Sequence, residues 1–381
     1  MRLRNALLAS AAGFGVAGTA AGIGAVLLGR EVWKRARAVP SFAGQVVVIT
    51  GGSRGLGFAL AQEFAARGAK LAICGRDQEV LQEAESRLRS MRADVLASLC
   101  NIADHAQATR FIREATERFG RIDVLVNNAG TIAVGPIESQ TLADFEAAMG
   151  TMFWGIVYTT LAALPPMLER RAGRIVNITS IGGKVAIPHL TPYSCAKFAA
   201  VGFSEALRAE LAKDNIKVTT VVPGLMRTGS HANAVFKGNH RKEYSWFALG
   251  ATLPVSAMEP HRAARRIVDA AARGKAEIIL TPQAKLLAGA HGIAPGTVAD
   301  ILGIANRFMP GTGSRDPHRF TGKESESAVT RSFLTALGRL AGRELNQHPE
   351  RGPVGGDADV SSRPLGPRVV GGGRVGDVLA E

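Results

Sequence analysis

Cysteine is scarce. The chain of 381 residues has three, Cys74, Cys100 and Cys195. The count is odd and no two form a CxxC pair. The sequence therefore implies neither a disulfide framework nor a zinc site, and it suits a reducing compartment. No histidine cluster or carboxylate pair points to any other metal. Tyrosine is equally sparse, with three in the chain. The formal charge is +14, but no basic face interleaved with aromatics and no recognised binding motif goes with it. Nucleic acid is not an expected partner. No internal repeat of short period appears. The length suits one large domain or two small ones.

Charge is missing altogether from Ala6 to Leu28. Those roughly 23 residues, at about 1.5 Å each, cover the ~30 Å hydrocarbon core of a bilayer. Arg2 and Arg4 precede the run; Arg30, Lys34, Arg35 and Arg37 lie after it. Residues 1–40 read as a single-pass membrane anchor with basic flanks. The larger cluster lies on the C-terminal side, which places the rest of the chain in the cytoplasm. A cleaved signal peptide and a Gly/Ala-rich surface helix are the alternatives. Gly18 and Gly22 form a GxxxG of the kind that pairs helices.

Beyond residue 40 the chain is organised around Val46–Gly57, VVVITGGSRGLG. A short β-branched run suits a buried parallel strand. Gly51, Gly55 and Gly57 come next, and then a helical pattern. Glycines at a strand-to-helix turn leave backbone N–H groups and the helix dipole open to a phosphate. A dinucleotide site is expected here. Strand-like segments lie near 46–50, 69–74, 94–99, 122–127, 173–179, 216–222 and 276–280, with helical patterns between them. This alternation predicts an α/β fold: a Rossmann-like doubly wound parallel sheet of about seven strands, with helices on both faces.

The second strand ends LAICGRD. An acidic residue here often binds the adenosine ribose. This chain has Gly75 and then Arg76, and Arg54 lies inside the glycine loop. Two guanidinium groups favour a 2′-phosphate. NADP is the expected cofactor, with NAD as the alternative and two solvated surface arginines as the reading without a ligand.

Farther on, Ser180 ends a strand. Tyr193 and Lys197 are four apart and share one face of a helix. The Lys197 ammonium is expected to lower the phenol pKa and make Tyr193 a usable acid or base near neutral pH.

With these residues together, the chain resembles the short-chain dehydrogenase/reductases over roughly residues 44–282. The matching motifs are TGGSRGLG at Thr50–Gly57, NNAG at Asn127–Gly130, Ser180, YSCAK at Tyr193–Lys197 and PGLMRT at Pro223–Thr228. The resemblance implies an oxidoreductase that moves a hydride between NADP(H) and a carbonyl or secondary alcohol. Tyr193 would give or take the proton, Lys197 would bind the nicotinamide ribose, and Ser180 would hold the substrate oxygen. The implied cofactor contacts are Thr50, Gly51, Ser53, Arg54, Gly55, Leu56, Gly57, Arg76, Asn101, Asn128, Gly130, Tyr193, Lys197, Pro223, Gly224 and Thr228. A homo-oligomer is compatible with it.

Two positions depart from the family pattern. Asn101 stands where an aspartate is usual near the adenine; an amide can still hydrogen-bond there. Met152 stands where an asparagine usually orders a proton-relay water, which methionine cannot do. A nucleotide-binding regulator with this fold and little turnover is therefore the alternative function.

Residues 230–260 fall where the family carries its variable substrate loop. The apolar stretch YSWFALGATLP suits a lipophilic substrate, or equally an ordinary core helix. His189 reads as structural. The oxidoreductase domain is expected over 41–282, a helical extension over 283–345, and a disordered Gly/Pro/Arg-rich tail over 346–381. The apolar positions of the extension suit packing on the domain or on a membrane surface.

Overall fold

The computed structural model describes residues 40–252, 257–313, 318–327, 330 and 335–347. The Ala6–Leu28 run and the tail beyond Gln347 lie outside the described residues. A compact unit begins at Phe42.

Its first half alternates strictly. β1 (Val46–Ile49), α1 (Gly55–Ala66), β2 (Lys70–Gly75), α2 (Gln78–Ser90), β3 (Val95–Leu99), α3 (His105–Phe119) and β4 (Val124–Asn127) come in turn. After a short β5 (Ala133–Val134) come α4 (Leu142–Met149), a π-helical turn (Gly150–Trp154), α5 (Gly155–Glu169) and β6 (Gly173–Ile178). Then come α6 (Thr191–Leu211), β7 (Ile216–Val222), β8 (Val235–Phe236), α7 (His240–Thr252), α8 (Pro260–Ala272) and β9 (Glu277–Ile279). The C-terminal part adds α9 (Pro282–Ile293), α10 (Pro295–Asn306), β10 (Phe320–Thr321) and α11 (Ala336–Glu344).

The main sheet has seven strands in the order β3-β2-β1-β4-β6-β7-β9, and every pairing in it is parallel. The seven strands read from the sequence are all present, within about two residues at each end. β1 is buried along its whole length, as a β-branched run covered on both faces must be. One face packs α1, α2 and α8 through Phe58, Leu60, Leu81, Leu88 and Ile267. The other packs α3, α5 and α6 through Phe111, Ile112, Ala163, Met167 and Leu211. The continuous helix Leu142–Glu169 is long and apolar enough to cross a membrane by composition. Here Met152, Ile156, Ala163 and Met167 along it are buried, so it serves as a core helix.

Strand order reverses between β1 and β4. In open α/β sheets the crevice beyond the carboxyl ends of the strands at that point takes the ligand. Thr50 comes directly after β1 there, and Asn128 directly after β4.

Candidate active site

The chain leaves β1 through Thr50–Gly57. Gly51 and Gly55 take φ of +63° and +59°, where a side chain would be strained. At Gly57 a Cβ would run into the Gly51 carbonyl and the Asn128 amide. The helix start is therefore pressed against the loop, and only glycine fits. The loop is braced from β4. The Thr50 hydroxyl accepts from the N–H of Asn128 (2.9 Å) and of Ala129 (3.1 Å). Asn128 Nδ2 donates to the Thr50 and Gly51 carbonyls at 3.0 and 3.1 Å. Asn128 thus faces the loop and fixes its shape. Gly130, two residues on, is exposed.

α2 and α3 are capped by the side chains of Asp77 and Asp104. α1 has no side-chain cap. Among the described residues the N–H groups of Leu56 and Gly57 meet no acceptor. A helix start without a side-chain cap, cradled by glycines and with the Leu56 and Gly57 N–H groups open, fits the pyrophosphate of a dinucleotide. Ser53 is buried and touches the end of β2: a Cβ at Gly75 would lie 2.6 Å from its Oγ.

Arg54 is half-buried and Arg76 is exposed. Burial first, and then the Arg76 charge, lower Arg54 from its ordinary pKa, with Asp77 opposing. Asn101 turns its side-chain oxygen to the Ala103 N–H at 3.2 Å.

Ser180 ends the β6 segment, and Tyr193 and Lys197 stand on the first turns of α6. Ser180 Oγ accepts from the Gly182 N–H at 3.1 Å, and a Cβ placed on Gly182 would lie 3.0 Å from the Tyr193 ring and 3.6 Å from Ser180 Oγ. Lys197 is 4% exposed, and its Nζ donates to the Ile178 carbonyl at 2.9 Å. The same Nζ lies 5.8 Å from the Tyr193 ring centre. Burial lowers Lys197 from 10.5 to about 8.

Tyr193 departs from the expectation. Its pKa is raised, because burial outweighs the Ser180 hydrogen bond. Loss of water penalises the phenolate, and the lysine points its charge at Ile178.

Met152 is fully buried in the π-helical turn, with Ala148 and Ala196, and Tyr193 packs beside it. Its sulfur would lie 3.7 Å from a Cβ on Gly130. The loop after β7 forms the other wall. Pro223 and Thr228 are buried, and a Cβ on Gly224 would lie 2.6 Å from Thr281 Oγ1 at the start of α9. A Cβ on Gly55 would lie 4.0 Å from the Thr228 side chain, so the loop after β1 faces the loop after β7.

The described part of YSWFALGATLP, residues 244–252, is buried or half-buried throughout. Tyr244, Phe247 and Ala248 pack on Phe236, while Trp246 stays half-buried. His189 holds φ +63°, and its ring meets the buried carboxylate of Glu243 at 2.7 Å. That bond ties the turn before α6 to α7.

Sequence reasoning missed a strap over the glycine loop. Residues after α11 return to it. Gly55 N–H donates to the Leu345 carbonyl at 2.8 Å. Asn346 Nδ2 donates to the carbonyls of Ser53 (3.0 Å) and Val80 (2.8 Å). Asn233 Nδ2 donates to Gln347 Oε1 at 2.6 Å, and Arg54 donates to Asn233 Oδ1 at 3.5 Å. The tail expected from Asn346 thus opens with two buried residues. Its Gly/Pro/Arg composition concealed them.

The family model for short chain dehydrogenases matches residues 45–237. Bovine dehydrogenase/reductase SDR family member 7B is 34% identical over 271 residues, covering 69% of this chain and 81% of the relative. A variant of actinorhodin polyketide ketoreductase, solved with NADPH, is 29% identical, with a TM-score of 0.56, over 62% of this chain and 95% of that one. A short-chain dehydrogenase/reductase from Burkholderia phymatum, solved with NAD, shares the fold, with a TM-score of 0.63 and 23% identity over 68% of this chain and 96% of that one. The chain belongs to the short-chain dehydrogenase family, the NAD(P)-binding oxidoreductases.

Proposed function

We propose that the chain is an NADP-preferring oxidoreductase acting on a lipophilic carbonyl or secondary alcohol. The observation that carries this reading is the convergence of Ser180, Tyr193 and Lys197 in a chain whose glycine-lined helix start has no side-chain cap. The dinucleotide would lie along Thr50–Gly57, with Arg54 and Arg76 at its 2′-phosphate and Asn101 near its adenine. Gly130, Pro223, Gly224 and Thr228 would border it, and Lys197 would hold the nicotinamide ribose. When bound, the nicotinamide supplies or accepts the hydride. Ser180 holds the substrate oxygen by a hydrogen bond. Tyr193 gives that oxygen its proton, or takes it back in the oxidation direction. Burial raises the Tyr193 phenol above its ordinary pKa, so this residue serves as the acid when the carbonyl is reduced and as the base when the alcohol is oxidised. Lys197, charged below about pH 8, stabilises the phenolate left behind. Tyr193 and the half-buried Trp246 pack against the buried Phe236–Phe247 cluster, so apolar side chains stand beside the proposed acid, which suits an apolar substrate.

The test is a panel of carbonyl compounds with NADPH. Tyr193→Phe is expected to lower turnover by roughly 10²–10⁴-fold while NADPH still binds. Unchanged turnover in Tyr193→Phe overturns the mechanism. Met152 favours a second reading, a nucleotide-binding regulator with slow turnover, because it supplies no group to order a relay water. Tight NADPH binding with no turnover across the panel selects that reading.

The same proposal anchors the chain to a membrane through Ala6–Leu28, with the oxidoreductase domain over 41–282 on the cytoplasmic side. The full chain is expected to stay with membranes through a carbonate wash, and release by salt alone overturns the anchor.

A further inference from the structure

The pair α9 and α10, joined at Ala294, is barely packed. Of residues 282–306 only Ala284 and Val298 are buried. Leu286, Ile293 and Phe308 are 76, 88 and 87% exposed, and Ile301 and Ile304 are more than half exposed. Cβ atoms placed on Gly289, Gly292, Gly296 and Gly303 would meet open space. Apolar side chains exposed in such number on two neighbouring helices mark a surface with a partner. From Leu286 to Asn306 the only Asp, Glu, Lys or Arg is Asp300.

We infer that this helix pair seats in the interfacial layer of an anionic lipid bilayer. Each helix has 12 residues, about 18 Å long, too short to cross a ~30 Å core but suited to lying at the headgroup boundary. The charges lie where headgroups would be. Lys285 and Arg307 bracket the apolar stretch. Lys285 also lines a concave patch with Arg266, Arg273 and Lys275. The two carboxylates of that patch are already engaged, Asp269 by Arg67 at 2.7 Å and Glu277 by Lys184 at 2.8 Å. The patch is thus complementary to anionic lipid.

The inference also rests on the proposed anchor. That run ends at Leu28 and the compact unit starts at Phe42, so a fully extended connection reaches at most about 50 Å. The pair begins against the loop that carries Gly224. Seating it in lipid would bring that wall of the site to the reservoir of a lipophilic substrate.

The test uses the full chain in phosphatidylcholine–phosphatidylserine vesicles. A solvatochromic dye is placed by Ile293→Cys in a Cys195→Ser background, since Cys74 and Cys100 are buried. A control dye goes at Glu117→Cys on the exposed side of α3. At residue 293 the emission is expected to shift to the blue. Brominated lipid should quench it severalfold more than at residue 117, and aqueous iodide severalfold less. Equal iodide quenching at both positions overturns the inference. So does shielding of residue 293 with energy transfer between two labelled copies, which would mean that a second chain covers the pair. The carbonate wash reads the anchor separately. A chain that sediments with vesicles while residue 293 stays in water refutes the helix pair alone. A chain released by salt whose residue 293 still enters added vesicles refutes the anchor alone.

Discussion

Lys197 is a buried charge kept at a cost to stability, and the cost can be measured. Its Nζ is removed from water, and its one hydrogen bond from the chain goes to the Ile178 carbonyl. The fall from 10.5 to about 8 corresponds to about 3 kcal/mol. The sign is set by proton binding. Between about pH 8 and 10.5 the unfolded chain holds a proton on this lysine and the folded chain does not, so stability rises with pH across that window. Below about pH 8 the folded state carries the whole penalty. Lys197→Met keeps most of the volume and removes the charge. It also strands the Ile178 carbonyl, at roughly 1–3 kcal/mol. Near neutral pH the variant should therefore be as stable as the parent, or more stable by about 1 kcal/mol. On raising the pH to about 10 the balance should swing by about 3 kcal/mol against the variant, because the parent sheds its penalty and the variant has none to shed. Urea unfolding of both proteins at several pH values measures the swing, and turnover should be lost in the variant throughout. A stability difference that does not change with pH refutes the reasoning, as does a variant that loses several kcal/mol near neutral pH.

The same geometry sets other outcomes. Arg76→Ala removes a charge-assisted contact worth about 1.5–3 kcal/mol, so it should weaken NADPH roughly ten- to a hundredfold and leave NADH nearly unchanged; equal binding of both cofactors by the parent refutes the assignment. Gly57→Ala drives a methyl into backbone that cannot give way, so it should lower stability by about 1–3 kcal/mol and sharply weaken either dinucleotide in a calorimetric titration. Retained affinity would mean that the loop is not the pyrophosphate site. Asn346→Ala strands the carbonyls of Ser53 and Val80, so urea unfolding should register a loss of about 1–3 kcal/mol, and no loss would mean that the strap contributes nothing to the fold.

The sequence by itself determined the sheet and the local chemistry. Buried parallel strands are β-branched runs with glycine or polar turns between them, and both signals are local. The glycine spacing at Gly51, Gly55 and Gly57 and the Tyr193–Lys197 interval are local as well, so the fold and the candidate site residues were legible. What the sequence misjudged depended on burial and on distant contacts. The Tyr193 phenol was expected to move down beside an ammonium. In the folded chain desolvation governs it, and the ammonium is engaged by Ile178. That the Asn128 amide braces the glycine loop is decided only by the meeting of β1 and β4. Asn346 sits in a composition that reads as disordered. It is buried because carbonyls nearly three hundred residues earlier accept its amide. The lack of cover over α9 and α10 is also tertiary. An apolar helix reads the same in sequence whether a core or a bilayer receives it, and only the packing of the described residues leaves Leu286, Ile293, Ile301 and Ile304 exposed.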